Sequence, residues 1–425
     1  MKAKLISSTV FLLIILLCSS YAQQPELTVQ QHLALSNQAY RAGEYEKFKE
    51  HMQKVVELEP DRYQYRYNLA CGYALNNDQQ NALNTLQFLL DENYDLVYMA
   101  AGDTDFSSLK DNKDFQQIVK RIEEKTRPLN TSSIAFSIPE KDLIPEGMAY
   151  DPVEEAFYVS SIQKCKIIKI DKQGNISDFT IPRQDGLLSV LGMRVDAYSR
   201  TLWAVSSYSF FKKHIPRKLL GTTGVFKYDL QTKKLLKKYM LPQEEGHYLN
   251  DLAIGPDGSV YITDWLVFGI YKISAETDTI EKLIDMPRQP NGIDISDDGT
   301  KLFIAGNGMG VLDIAAKSYK ELEYPPNLYV SGDGCYFYKN SLIAVQNGGF
   351  RKVSRFYLND AQDEIVRSEP LEAYHPLFNI PTTGAVAGDE FYFIANSQLG
   401  DYTREGSLFP LSELEEVKIL KIGLK

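Results

Sequence analysis

The chain has 425 residues and a net charge of −10, with 44% hydrophobic and 24% charged residues. This length exceeds what one hydrophobic core usually supports, and the composition excludes a wholly disordered chain. The acidic balance gives no support to a nucleic-acid partner, which would normally require a basic surface. The 27 tyrosines and 20 phenylalanines favour a β-rich protein over a helical one.

Residues 1–22 have the pattern of an export signal. Lys2 and Lys4 precede an apolar run at residues 10–17, and small residues follow before Ala22. This order is typical of a secretory signal peptide, and the run is too short for the alternative, a membrane anchor. We therefore expect a secreted or periplasmic protein with no transmembrane segment. Lipidation of Cys18 after cleavage is an alternative, although Leu17 occupies a position that normally needs a small residue.

Cleavage of the signal would leave three cysteines, Cys71, Cys165 and Cys335. An odd and sparse set argues against a disulfide framework, even in an exported protein. We expect three buried thiols.

Residues 23–127 are predicted to form a helical domain with a 34-residue repeat. The stretches 29–62 and 63–96 both carry small residues where paired helices would touch. The pattern resembles the tetratricopeptide repeat, with Pro60 at the end of the first unit. Two units are few for an independent solenoid, so we expect this domain to pack on its neighbour or to bind a partner protein. Residues 128–132 are predicted to be a linker.

From residue 133 to residue 425 the hydrophobic period changes to two. Six segments share a Gly- or Asp-marked start, a short strand, a turn and an aromatic or β-branched strand. The starts lie 41 to 59 residues apart, at Gly147, Gly192, Asp251, Gly292, Gly334 and Gly384. Repeats of this length made of short strands predict a six-bladed β-propeller. The fold class is therefore mainly β, with a small all-α domain before it.

A second recurring segment predicts how the ring closes. Five blades end in a strand-like segment with proline at its edge, and a sixth copy, Phe136-Ser137-Ile138-Pro139, precedes the first blade. The last blade lacks its own copy. Residues 133–139 are therefore predicted to supply the outer strand of the sixth blade, which would leave the ring without open edges.

Four blade starts carry an oxygen-bearing side chain: Glu146, Asn250, Asn291 and Asp333. The innermost strands of a propeller converge on a central channel, so these side chains should meet around one axis. Two carboxylates and two amide carbonyls suit calcium, and less tightly magnesium or manganese, whereas the absence of Cys and His disfavours zinc. The alternative is that the Asn-Gly and Asp-Gly dipeptides only form turns. The recurrence of an oxygen-bearing side chain at the equivalent position of four repeats favours the metal site.

These motifs resemble the calcium-dependent gluconolactonase/regucalcin (senescence marker protein) family of six-bladed propellers. The resemblance includes Gly255-Pro256-Asp257-Gly258 and Ser296-Asp297-Asp298-Gly299, and it covers residues 133 to about 424. Leu249-Asn250-Asp251 is also similar to the paraoxonases. The resemblance implies that Glu146, Asn250, Asn291 and Asp333 are metal ligands. It further implies that Asp333 is the general base for attack of water on a lactone or related ester.

Two departures from these families concern the substrate. Leu191-Gly192 stands near the position where paraoxonases present a histidine. Cys335-Tyr336-Phe337 is more aromatic than expected for a sugar-lactone hydrolase. The second departure points to an apolar or bulky substrate.

Several further residues have two possible roles. Arg194 is a candidate to bind a substrate carboxylate, or to form an ion pair in the channel. His247 is a candidate second base, or a loop histidine. Asn396 and Gln398 either line the rim or end strands.

The two tryptophans and one long insertion also allow predictions. Trp203 and Trp265 are expected to pack between blades. The insertion from Tyr208 to Gly224 mixes apolar and basic residues, and it is interpreted as a lid, as a surface that contacts a membrane or a partner, or as a solvated loop.

The leading hypothesis is thus an exported, metal-dependent hydrolase of a small-molecule lactone or ester. The alternative is a binding protein in which the propeller holds a structural calcium ion and the helical repeats contact a protein. An isomerase or synthase is a third option, because a fold does not determine a reaction.

Overall fold

The computed structural model describes residues 27–208, 217–347, 351–403 and 405–425. The expected signal peptide, Cys18 and residues 209–216 of the insertion lie outside the described residues. Within the described ranges, no helix is both long and apolar enough to cross a bilayer. The chain forms two compact units. The first consists of the residues up to 91 together with 103–116, and the second consists of 92–102 together with 117–425. The sequence segment 23–127 is thus divided between the two.

The first unit is helical, as predicted. Its helices α1 to α4 span Val29–Ala42, Tyr45–Leu58, Tyr63–Leu75 and Gln79–Asp91. Thr28 and Gln31 form a reciprocal capping box at the start of α1, and Gly43 ends that helix in a left-handed conformation. Buried small residues lie where the helices pack, among them Ala39, Ala70 and Ala82. The assignment to the tetratricopeptide repeat stays a prediction.

Further helical turns follow α4. A 3₁₀ helix at Thr104–Leu109 belongs to the first unit, and one at Asp95–Ala101 belongs to the second. Helix α5, Lys113–Lys125, contains the division between the units.

The second unit is a six-bladed propeller, which confirms the predicted fold class. Each blade is a four-stranded antiparallel sheet. Strand β1 spans Ser133–Ile138. Blade one contains β2 to β5, at Met148–Asp151, Ala156–Ser161, Lys166–Ile170 and Ile176–Asp178. Blade two contains β6 to β9, at Ser189–Asp196, Thr201–Ser207, Thr223–Asp229 and Leu235–Met240.

The other blades repeat this arrangement. Blade three contains β10 to β13, at Leu249–Ile254, Val260–Asp264, Gly269–Ile273 and Ile280–Asp285. Blade four contains β14 to β17, at Pro290–Ile295, Lys301–Gly306, Gly308–Asp313 and Ser318–Glu321. Blade five contains β18 to β21, at Cys335–Phe337, Ser341–Gln346, Lys352–Leu358 and Ile365–Ala373. Blade six contains β22 to β24, at Gly384–Ala387, Glu390–Ile394 and Val417–Gly423, together with β1.

Strand β1 closes the ring in the predicted way. It pairs antiparallel with β24, with Ile138 opposite Val417 and Ser133 opposite Lys421. The side chain of Ile138 is fully buried, whereas that of Ile134 is 53% exposed. The N-terminal strand therefore covers the edge that the last strand of the chain would otherwise leave open.

The segment just before β1 is fixed to blade five. The buried carboxylate of Glu372 accepts hydrogen bonds from the backbone N–H groups of Asn130 and Ser132, at 3.0 and 2.8 Å, and from the Ser132 hydroxyl at 2.6 Å. Although burial raises the pKa of Glu372, these donors hold it below its ordinary value. Residues 130 and 132 therefore do not form a free linker.

The core lies between neighbouring blades, where apolar side chains of adjacent sheets interlock. For example, Ala149 and Tyr158 of blade one share a buried cluster with Met193 and Leu202 of blade two. The three cysteines within the described residues are buried and form no disulfide, as expected.

Candidate functional site

The innermost strands approach one another so closely that only glycine fits beside the candidate ligands. A Cβ atom on Gly147 would lie 2.0 Å from the carbonyl oxygen of Leu191, and one on Gly292 would lie 2.5 Å from that of Asp333. Neither glycine has a positive φ angle. These glycines therefore allow close packing around the channel and do not act as turn formers there.

Three of the four predicted ligands form a chain of hydrogen bonds. Asn250 Nδ2 donates to Asn291 Oδ1, and Asn291 Nδ2 donates to Asp333 Oδ1 at 2.7 Å. Asn347, just beyond the end of β19, donates from Nδ2 to Asp333 Oδ2 at 2.7 Å. Both oxygens of the Asp333 carboxylate are thus oriented by an amide, and each has a second lone pair for a further donor or a cation.

Glu146 is the most unusual side chain of the site. It is 6% exposed, and among the described residues its Oε2 atom has no hydrogen-bond partner. Burial raises the pKa of Glu146 well above its ordinary value, the charges of Asp333 and Asp251 raise it further, and Arg194 opposes them. A buried carboxylate oxygen without a donor is costly unless a proton or a cation compensates it.

Asp333 is the second perturbed acid. Burial raises the pKa of Asp333 to about 6, although the hydrogen bonds from Asn291 and Asn347 act in the opposite direction. The negative charge of Asp251 raises it further. Two carboxyl groups that both resist ionisation therefore share this channel.

This donor set fits a hard divalent cation. Glu146 and Asp333 supply carboxylate oxygens, Asn250 and Asn291 supply amide oxygens, and Glu146 Oε2 is buried with no protein donor in the described chain. A doubly charged cation would offset the repulsion between the two carboxylates. The residues at the site are thus chemically suited to calcium.

The four candidate ligands line a cavity of about 450 Å³. The rest of its wall is mainly apolar and consists of Ile162, Leu191, Tyr248, Trp265, Leu266 and Leu399. A volume of this size is typical of small-molecule sites.

A second cavity, of about 320 Å³, shares Trp265, Asn291 and Asp333 with the first. Its remaining wall is mainly polar and includes Gln289, Asn307, Tyr329, Ser331, Gln346 and Asn347. The Tyr329 ring packs against Tyr94, at 6.4 Å between centroids, just before the Asp95–Ala101 helix of the same unit. That segment thus supports the wall of this cavity.

Arg194 lies beside the channel but lines neither cavity. Its Nη1 atom donates to Asp251 Oδ1 at 3.4 Å and its Nη2 atom to the Ile293 carbonyl at 3.2 Å. Its guanidinium carbon lies 5.1 Å from the centre of the Tyr336 ring. These contacts favour the structural ion pair over a role in substrate binding.

His247 also lies outside both cavity walls. Its Nδ1 and Nε2 atoms lie 2.6 Å from Asp264 Oδ2 and 2.8 Å from Glu245 Oε2. Asp264 in turn accepts the N–H groups of Tyr248 and Leu266, at 3.1 Å each. The histidine therefore braces the loop that carries Tyr248 to the cavity.

The polar residues after β23 stabilise strands. Asn396 donates to the Glu416 carbonyl at 2.9 Å and accepts from the Lys418 N–H at 2.6 Å. Gln398 similarly donates to the Glu415 carbonyl at 3.1 Å and accepts from the Glu415 N–H at 2.8 Å. These contacts favour the strand-ending role for both residues.

Sequence reasoning missed two residues of the site. Asn347 follows the second strand of its blade, so it does not belong to the repeated blade starts from which the ligands were predicted. Trp265 packs against the buried cluster shared by blades two and three, as expected, but it also lines both cavities, and its ring meets Tyr248 edge to face at 6.0 Å between centroids. Trp203 belongs to the same cluster, as expected, and its ring is stacked on Tyr239.

Comparison with known proteins found one family model that matches part of the propeller. Residues 144–312 match the family model described as SMP-30/Gluconolactonase/LRE-like region. No curated protein matches the sequence.

Similar solved structures are distant. The PQQ-bound aldose sugar dehydrogenase of Streptomyces coelicolor has 14% identity, with 70% of this chain and 98% of that chain covered and a TM-score of 0.48. A gluconolactonase of Xanthomonas campestris has 12% identity, with 70% and 92% covered and a TM-score of 0.45. Virginiamycin B lyase of Staphylococcus aureus has 16% identity, with 68% and 98% covered and a TM-score of 0.44.

At these TM-scores the structural likenesses carry no argument about activity. The family match, in contrast, contains Glu146, Asn250 and Asn291 and ends before Asp333. Residues 144–312, which form part of the six-bladed β-propeller, are therefore similar to the SMP-30/Gluconolactonase/LRE-like region.

Proposed function

We propose that the propeller hydrolyses a lactone or a related ester with the help of a divalent cation in its channel, calcium being the best chemical fit. The observation that carries the proposal is the buried, unpartnered Oε2 atom of Glu146 in the same cavity wall as Asn250, Asn291 and Asp333. The match to a gluconolactonase-like region supports the reaction class.

Glu146, Asn250, Asn291 and Asp333 would hold the ion. When bound, it supplies Lewis-acid polarisation of an ester carbonyl and stabilises negative charge on the carbonyl oxygen.

The protein's own groups provide the proton transfer. Asp333 would accept a proton from a water molecule as that water attacks the acyl carbon, and it would return this proton to the ring oxygen as the C–O bond of the lactone breaks, so that a hydroxy acid forms. Asn291 and Asn347 fix the plane of the Asp333 carboxylate, so it is oriented before substrate arrives. The apolar wall excludes bulk water and strengthens charge interactions within the cavity.

Two further proposals rest on sequence. The N-terminal pattern supports export to a secreted or periplasmic location. The helical repeats support binding of a protein partner.

The test is hydrolysis of a panel of lactones and aryl esters by the full chain, with added calcium, magnesium or manganese and with chelator. Asp333→Asn should lower kcat about 100-fold or more, because it removes the base while preserving the shape of the side chain. Asn347→Ala should lower kcat about tenfold with little change in KM, since it removes only one orienting donor. Asp360→Asn, at an exposed aspartate, is the matched control.

Metal-dependent hydrolysis that fails in Asp333→Asn and persists in Asp360→Asn would support the proposal. A wild-type protein that binds the ion but hydrolyses no member of the panel would overturn it in favour of the binding-protein alternative.

A further inference from the structure

Two cavities with different linings meet at the candidate site, one mainly apolar and the other containing several polar side chains. Trp265, Asn291 and Asp333 line both. Any carbonyl group placed beside Asp333 would therefore have an apolar space of about 450 Å³ on one side and a polar space of about 320 Å³ on the other.

The apolar cavity is formed by the hydrophobic core itself. Ile162 and Leu191 are each 1% exposed and Tyr248 is 5% exposed, and all three belong to one buried cluster. Leu266 is 38% exposed and lines the same cavity. Because core side chains are held by close packing, this wall is formed before a ligand arrives.

The polar cavity presents groups that can form hydrogen bonds. Gln289, Asn307 and Ser331 line it. Gln346 is a fixed part of the wall, since its Nε2 atom donates to the Tyr329 carbonyl at 3.1 Å and its Oε1 atom accepts from the Ser354 hydroxyl at 2.6 Å.

We propose that the substrate is amphipathic: a lactone or ester with an aliphatic chain in the apolar cavity and an oxygen-bearing part directed toward Gln289, Asn307 and Ser331. This inference rests on the proposed hydrolase function and specifies its substrate class. A sugar lactone carries hydroxyl groups on most of its carbons, and those facing Ile162 and Leu191 would lose their hydrogen bonds to water without replacement.

The experiment compares γ-lactones of four, six, eight and ten carbons with glucono-1,5-lactone on the full chain with added calcium. Because each buried methylene contributes about 0.8 kcal/mol, kcat/KM should rise about fourfold per added methylene until the cavity is full. Binding of γ-decalactone is measured separately through tryptophan fluorescence, since Trp265 lines both cavities. Trp265→Phe identifies the part of the signal that comes from Trp203.

Two substitutions test the wall. Leu191→Asn should flatten the dependence of kcat/KM on chain length, because it places a polar group in the apolar wall. Leu266→Asn makes the same change at a partly exposed position, so it serves if Leu191→Asn does not fold. Leu411→Asn, 57% exposed and outside both cavities, is the matched control and should keep the wild-type dependence.

The outcomes separate this inference from the proposed function. Hydrolysis of glucono-1,5-lactone at a rate equal to or above that of every alkyl lactone, with no chain-length dependence, would overturn the inference and leave the hydrolase intact. Saturable binding of γ-decalactone without hydrolysis of any lactone would overturn the hydrolase and support the amphipathic site. Absence of both binding and hydrolysis would overturn both.

Discussion

At the scale of single residues, the channel concentrates carboxyl groups that resist ionisation. A third such acid is Asp294, whose pKa is raised to about 6 by burial despite the opposing charge of Arg194. Asp294 also accepts the Phe337 N–H at 2.7 Å, and the negative charge of Asp251 adds to the rise in its pKa. The folded protein therefore binds a proton at Asp294 more tightly than the unfolded chain does.

Asp294 gives a prediction for the dependence of stability on pH. Below about pH 4 the group is protonated in both states, and between about pH 4 and 6 only the folded state keeps the proton, so its contribution to the free energy of unfolding falls as pH rises. Asp294→Asn retains an acceptor for Phe337 and removes this titration. In chelator, the loss of unfolding free energy from pH 5 to pH 7 should be smaller by about 1 kcal/mol in the variant than in the wild type.

Chemical denaturation at the two pH values makes this measurement. Asp360→Asn, at an exposed position, should behave as the wild type does. An equal difference between pH 5 and pH 7 in Asp294→Asn and the wild type would show that Asp294 is not the titrating group.

At the scale of elements, the packing of strand β1 stabilises the closed ring. The side chain of Ile138 is fully buried in the cluster with Val417 and Ile419, whereas Ile134 on the same strand is half-exposed. Ile138→Ala should lower the free energy of unfolding by about 2–4 kcal/mol, because it leaves a cavity between strands that are distant in sequence. Ile134→Ala should change it by less than about 1 kcal/mol.

Urea denaturation of the two variants, monitored by near-ultraviolet circular dichroism, makes this comparison. Equal destabilisation by the two substitutions would contradict a closure that depends on the inward face of the strand.

At the same scale, the sequence predicted the blades and the candidate ligands but not the residues that contact these side chains. A repeat sets which residue begins each innermost strand, so Glu146, Asn250, Asn291 and Asp333 could be found from spacing alone. Asn347 reaches Asp333 from the end of a neighbouring strand in the same blade, and no repeat marks that position. The pairing of Arg194 with Asp251 joins two blades, so it depends on side-chain conformations that spacing does not encode.

The helical region predicted from the sequence, residues 23–127, does not coincide with the first compact unit of the structure. The 34-residue period describes α1 to α4 but carries no information about where later turns pack. Residues 92–102 have helical character and yet belong to the propeller unit, where the Lys352 ammonium pairs with Asp95 at 2.7 Å. Tertiary contacts thus override a boundary drawn from periodicity.

At the scale of the whole molecule, the net charge of −10 gives no support to a nucleic-acid partner, whereas the positions of two acids support the proposed cation. Among the residues that the structure describes, acidic side chains such as Asp363 and Glu416 pair with lysine. Glu146, in contrast, has a buried oxygen without a donor in the described chain, in a channel that also contains Asp333. A divalent cation is the partner whose charge and ligand preference fit that arrangement.

The most direct test of this account is isothermal titration calorimetry of calcium into the full chain at pH 7.5, with Glu146→Gln and the exposed control Glu281→Gln. We expect one site in the wild type and in Glu281→Gln, with affinity at least about tenfold weaker in Glu146→Gln because one carboxylate ligand is lost. Calcium binding of equal affinity in Glu146→Gln and the wild type, or no binding by the wild type, would contradict it.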